Sequence, residues 1–143
     1  LKKRPWEYNA QVAGHRKLWK LDSARYIQKH KPNNNSSPTE LGVYIELTFP
    51  DNPQPHLIDA MIQKAKAIGV PEIDRLNTNY EVFFKAIGTY GNQSHVGYLQ
   101  SELRRKQSRV RRELITDTIS QIMIRHPDAI MKRYLKPYQA LPN

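Results

Sequence analysis

A chain of 143 residues with 38% hydrophobic residues and a net charge of +10 suits one domain with little length to spare. The lack of cysteine excludes disulfides and thiolate metal sites, and no apolar run nears the roughly 20 residues of a membrane-spanning helix. Residues 1–31 carry nine Lys/Arg against two Asp/Glu, residues 32–95 four against seven, and residues 96–143 ten against four. Two basic flanks therefore surround a mildly acidic centre. Such flanks repel themselves unless a polyanion neutralises them. Nucleic acid has the strongest general claim, because each neutralised phosphate releases counterions. A mean hydropathy of −0.74 is lean for a free-standing globule and suggests that part of the chain takes its order from a partner.

In chain order, residues 1–31 read as a basic arm with helical stretches. Pro5 and Gly14 interrupt any long early helix, and no breaker follows from His15 to Lys31. The apolar residues Leu18, Trp19, Leu21, Tyr26 and Ile27 form no single stripe, so the arm is expected to dock on something rather than fold alone. Residues 32–40, PNNNSSPTE, read as a linker loop. Val43, Ile45, Leu47 and Phe49 alternate with Tyr44, Glu46 and Thr48, which predicts a strand with one buried face. Leu57, Ile58, Met61, Ile62, Ala65 and Ile68 recur at helical spacing, with Pro55 in the first turn and Gly69 as the stop. Tyr80, Val82, Phe84 and Ala86 predict a second strand.

From about Ser94 the period is helical again and predicts one long basic helix. Leu99, Leu103, Val110 and Leu114 form its apolar stripe, and Pro127 ends it. A short helix, Asp128 to Leu135, and a proline-bracketed tail complete the chain. The expected fold class is thus α+β: a small β-α-β core with a long basic helix and a basic N-terminal helical arm. Its parts are residues 1–31 (arm), 32–40 (linker), 41–125 (core with the Arg-rich helix) and 126–143 (C-terminal helix and tail).

Two segments carry the candidate chemistry. Residues 104–112 hold six cations in nine positions: Arg104, Arg105, Lys106, Arg109, Arg111 and Arg112. Five are arginine, whose planar fork matches phosphate bidentately. Only Glu102 and Glu113 are close enough in sequence to neutralise any of them. The helix lacks the wide band of Trp, Phe and Leu that membrane-surface insertion requires. In the arm, Arg16, Lys17, Lys20 and Arg25 interleave with Trp6, Tyr8, Trp19 and Tyr26, a pattern in which rings stack on unpaired bases while cations hold the backbone. An equal alternative has the tryptophans plugging a protein groove.

His15, His30, His56, His95 and His126 sit in five separate segments at no metal-ligand spacing, so no metal site and no cofactor are expected. The carboxylates that a Mg²⁺-dependent nuclease would need, with Glu46, Asp51 and Glu81 foremost, lack a lysine at motif spacing. Pro50-Asp51 and Gly42-Val43-Tyr44 match fragments of nuclease motifs only at the level of chance, and Gly88-x-x-Gly91 resembles a KH loop weakly, since Thr89-Tyr90 are not basic.

Val43–Ile87 resembles the family of the tenth small-subunit ribosomal protein. That family has an apolar strand, a helix opening with a His/Leu-Ile-Asp run (here His56-Leu57-Ile58-Asp59), and an extended strand (here Tyr80–Lys85). The resemblance covers about a third of the chain and implies only a class, a component of a mitochondrial-type ribosome with basic extensions. The reading is therefore a non-catalytic, nucleic-acid-binding component of a ribonucleoprotein. RNA is preferred to DNA, neighbouring proteins are further partners, and no membrane insertion is expected. The rival reading is a small metal-dependent DNA endonuclease of homing or restriction type. The chain begins with Leu1, for which removal of an organellar targeting peptide is one reading. The expected compartment is the mitochondrial matrix or the cytoplasm.

Overall fold

The computed structural model describes residues 5–68 and 79–127. The expected α+β class is not what the chain builds: every regular element among the described residues is helical, with no strand among them. The helices are α1 (Pro5–Leu21), α2 (Ser23–His30), α3 (Pro38–Thr48), α4 (His56–Ile68), α5 (Asn79–Tyr90), a 3₁₀ turn (Gln93–His95), α6 (Val96–Leu103) and α7 (Arg109–Arg125). They fall into two compact units, Leu1–Ala86 and Ile87–Asn143, with the boundary inside α5. Lys2, Lys3, Arg4, Gly69, the Asp128–Leu135 helix and the C-terminal tail lie outside the described residues.

Both predicted strands are helices. In α3 the alternation of residues 43–49 is accidental, because the helix is buried on nearly every side. Leu41, Val43, Tyr44, Ile45 and Phe49 are all in the core, and Leu47 is only half-buried. A helix covered all round has no polar face to reveal its period. Its start is written locally: Ser37 Oγ accepts from the Glu40 backbone N–H at 3.1 Å, and Pro38 sits where a missing N–H costs nothing. Gly42 permits close approach of α5, since a Cβ there would stand 3.0 Å from Val82 Cγ1 and 3.3 Å from the Val82 carbonyl oxygen. In α5, Phe83, Phe84, Ala86 and Ile87 are buried while Glu81, Lys85 and Thr89, four residues apart, are exposed. That is a helical face, and the burial of Phe83 and Ile87 contradicts a two-residue period.

In the first unit α1 packs on α2 and α3, and α3 on α4. The basic arm thus rests on α3 of its own chain. Helix α1 runs unbroken through Gly14, and the chain turns instead at Asp22. That residue has φ −159° and ψ 90°, and its Oδ1 accepts from the Arg25 backbone N–H at 3.1 Å. The turn lets Tyr26 stack on Tyr44 with ring centroids 6.1 Å apart, while Trp19 meets Tyr26 edge-on at 5.7 Å. Helix α4 is the helix the sequence predicts, with Leu57, Ile58, Met61, Ile62 and Ala65 buried. Each such side chain contributes on the order of 1.5–3 kcal/mol through burial, less for alanine.

The long basic helix of the second unit is broken. Helix α6 ends at Leu103, and α7 starts at Arg109 with Ser108 Oγ accepting from the Arg111 backbone N–H at 3.2 Å. The buried face of α7 is Arg111, Ile115, Thr118 and Ile122, spaced 4, 3 and 4 residues apart, whereas Val110 of the expected stripe is 61% exposed. Arg125 ties the end of α7 to the end of α5, donating to the carbonyl oxygens of Gly88 and Gly91. Gly91 is required there, because a Cβ would stand 2.4 Å from the Ile87 carbonyl oxygen.

Candidate nucleic-acid interface

The ten cations singled out in the sequence divide into those that already hold a carboxylate and those that do not. On α1, Arg16, Lys17 and Lys20 share a face with Ala13, and their aliphatic stems line an open recess of about 300 Å³. Arg16 is the paired member: Nε and Nη2 both donate to the Glu46 carboxylate at 3.1 Å, with Lys85 Nζ 3.8 Å from the same group. Lys17 and Lys20 on α1 and Arg25 on α2 are exposed and make no ion pair among the described residues.

In the second unit the turn after α6 is held by Gln107. Its Nε2 donates to the carbonyl oxygens of Glu102, Leu103 and Arg105 at 2.9, 3.2 and 3.1 Å, closing the helix end. Its Oε1 accepts from Arg111 Nη1. Arg111 is 1% exposed, and its Nη2 donates to Glu102 Oε2 at 3.1 Å, Glu102 itself being buried. The structure thus places Arg111 in the interior, where its guanidinium fills a structural role and is closed to a surface phosphate. Burial of Tyr98 pushes its phenol well above the usual value; nearby Glu102 adds to this, and Arg111 and Arg105 oppose it.

The remaining cations of the run are exposed. Arg105 Nε lies 3.5 Å from Glu102 Oε1, and Arg109 Nε donates to Glu113 Oε1 at 2.9 Å. The two carboxylates nearest in sequence thus pair with three of the six arginine and lysine side chains. Arg104, Lys106 and Arg112 make no ion pair among the described residues. Arg104, Arg105 and Lys106 sit in a fixed turn, not on a helix face as expected.

Sequence spacing missed one assembly. His15 and His30, fifteen positions apart, come together with ring centroids 4.1 Å apart, and Tyr26 lies 4.7 Å from His30. A 2.9 Å hydrogen bond joins His15 Nδ1 and the Tyr26 phenol. Burial holds His30 below the usual imidazole value, with Lys29 lowering it further and Glu40 opposing. Burial also pushes the phenols of Tyr26 and Tyr44 up, and at Tyr26 the neighbouring Tyr44, Glu46 and Glu40 add to the effect. No linear spacing signals this cluster, since it depends on the turn at Asp22. Tyr26 is fully buried, so of the four aromatics expected to meet bases it cannot stack on one.

Of the carboxylates considered for a nuclease, Glu46 is engaged by Arg16 and Lys85, while Asp51 and Glu81 are exposed. Among the described residues no group of three or more His, Cys, Asp or Glu is placed to hold a metal ion, and no helix is long and apolar enough to cross a membrane. No protein-family model matches the sequence, and neither a curated protein nor a solved structure matches it significantly.

Proposed function

We propose that this protein binds nucleic acid through phosphate contacts, as a non-catalytic component of a ribonucleoprotein. The observation that carries the proposal is the pair of exposed cation sets without carboxylate partners: Lys17, Lys20 and Arg25 in the first unit, and Arg104, Lys106 and Arg112 in the second. Unneutralised cations held on ordered backbone gain most from a polyanion. The preference for RNA over DNA rests on the aromatics interleaved with the first set, of which Trp19 is half-buried. Contacts with neighbouring proteins of an assembly rest on the lean mean hydropathy of −0.74. A mitochondrial-type ribosome as that assembly rests on the charge layout. The residues of the ribosomal resemblance lie on α3, α4 and α5, so they support it by sequence and not by shape.

The test is the salt dependence of binding to single-stranded and structured RNA. Replacing Arg104, Lys106 and Arg112 with Gln should flatten the slope of log K against log[salt] by roughly 0.7–0.9 per lost contact, about two to three in all. Replacing Lys17, Lys20 and Arg25 should do the same. A slope unchanged in both variants overturns the proposal. Cleavage in Mg²⁺ that disappears in Asp51→Asn or Glu81→Gln would establish the nuclease reading in its place.

A further inference from the structure

The first unit contains a polar pocket of about 60 Å³ between α2, the loop over residues 31–37 and α3. His15 and His30 form one wall and Tyr44 another, with Lys29, Lys31 and Glu40 at the rim. Two observations set it apart from an incidental crevice. Tyr44, one of the lining residues, is 4% exposed, and its phenol makes no hydrogen bond among the described residues. The ring nitrogens of His30 likewise have no hydrogen-bond partner there, its contacts being the faces of His15 and Tyr26. A phenol on a buried residue and a half-buried imidazole thus line one cavity with their hydrogen-bonding capacity unused by the described residues, which leaves both for a ligand.

The lining selects the ligand's chemistry. One carboxylate, Glu40, stands against Lys29 and Lys31 and two imidazoles, so the pocket favours an anion over an amine. A hydroxyl donor, an imidazole and two ammonium groups suit the tetrahedral oxygens of a phosphate. The space is ample for one such group. We infer that this pocket is a seat for a single phosphate group, with Tyr44 and His30 as its direct donors and Lys29 and Lys31 closing the rim. The inference rests on the nucleic-acid reading only for the source of the phosphate, a strand's backbone or end as against a free ion.

The experiment follows the His30 imidazole resonances of the full chain by NMR. The probes, at constant ionic strength, are inorganic phosphate, a 5′-phosphorylated oligoribonucleotide and the same strand with a 5′-hydroxyl. Bound phosphate stabilises protonated His30, so its titration midpoint should move up, toward and beyond the ordinary imidazole value. Tyr44→Phe keeps the ring stack on Tyr26 and removes one oxygen; it should weaken phosphate roughly tenfold or more. Lys31→Gln, at the exposed rim, should weaken it less. Movement with the phosphorylated strand alone assigns a terminal phosphate, and movement with both strands a backbone one. If no probe moves His30, or if Tyr44→Phe binds phosphate as the parent does, the inference is overturned. Salt-sensitive strand binding with a silent His30 removes the pocket and keeps the nucleic-acid reading. A response to inorganic phosphate without strand binding does the reverse.

Discussion

Residues 16–31 and 104–112 are the two richest in cations, with six each, and the protein builds them on opposite plans. In the first, one of the six, Arg16, is in an ion pair among the described residues. The interior beneath holds no acid–base ion pair among the described residues and is made of Tyr26, Tyr44 and His15. In the second, three of the six are in ion pairs, and one of those, Arg111, is taken fully inside with Glu102. Burying a neutral phenol with an imidazole costs far less than burying an arginine, which needs its carboxylate and amide partners in place. A count of basic residues therefore overstates the charge available to a polyanion, and by more in the second segment. The surplus that remains is three cations there and five in the first segment.

The largest effect that would break this contrast is at Glu102. Glu102→Gln leaves the Arg111 guanidinium buried without its carboxylate, which should cost about 3–5 kcal/mol in a urea titration. Glu102→Leu combined with Arg111→Met removes both charges and should recover most of that. The matching cut in the first unit, Glu46→Gln, releases Arg16 from a pair whose side chains are 48% and 26% exposed and should cost no more than about 1 kcal/mol. Equal losses in the two units would show that the buried and exposed pairs do not differ as the geometry says.

What could be read from the sequence follows the same division between local and non-local causes. Helix α4 was legible because its apolar residues keep one face and Pro55 marks its start. The class was misread at α3, where burial on nearly every side masks the helical period, and at α5, where an alternation of apolar residues drew the eye from a polar face of helical spacing. Local signals were nevertheless present. Ser37-Pro38-Thr39-Glu40 has the spacing of a helix-capping sequence, and Glu81, Lys85 and Thr89 are polar at intervals of four. Arg111 was also distinguishable: among the clustered cations it is in register with Ile115, Thr118 and Ile122 once Ser108 is taken as the cap of α7. The His15–His30–Tyr44 pocket was not, because three helices that meet only after the chain turns at Asp22 supply its walls.

A smaller effect sharpens the neutral side of the comparison. Tyr26→Phe removes the phenol bonded to His15 Nδ1 from a fully buried position and should cost about 1–3 kcal/mol at neutral pH. Tyr26 and Tyr44 of the first unit have phenols held above their usual value by burial. In the unfolded chain they ionise near pH 10. The folded form keeps its protons longer, so the stability from this source is complete below about pH 10 and is lost as pH rises above it. Tyr26→Phe should therefore be less stable than the parent at neutral pH and lose stability less steeply above about pH 10. Chemical unfolding at a series of alkaline pH values measures both. A parallel pair of curves would mean that Tyr26 ionises alike in the folded and unfolded chain.

The smallest stability effect lies at the surface pair of α7, where Arg109 donates to Glu113 one helical turn on. Both side chains are largely exposed, so Glu113→Gln should cost only about 0.3–0.5 kcal/mol, close to the limit of a denaturation experiment. Its effect on binding should be easier to see and opposite in sign. The substitution removes a carboxylate beside Arg112 and releases Arg109, raising the cations of residues 104–112 without an ion pair from three to four. RNA should then bind more tightly at low salt, with a salt slope steeper by up to about 0.7–0.9. Arg109→Gln, by contrast, should leave the parent slope nearly unchanged, because that guanidinium is already occupied. A Glu113→Gln variant with the parent slope would place Arg109 away from the bound phosphates and confine the contact to Arg104, Lys106 and Arg112.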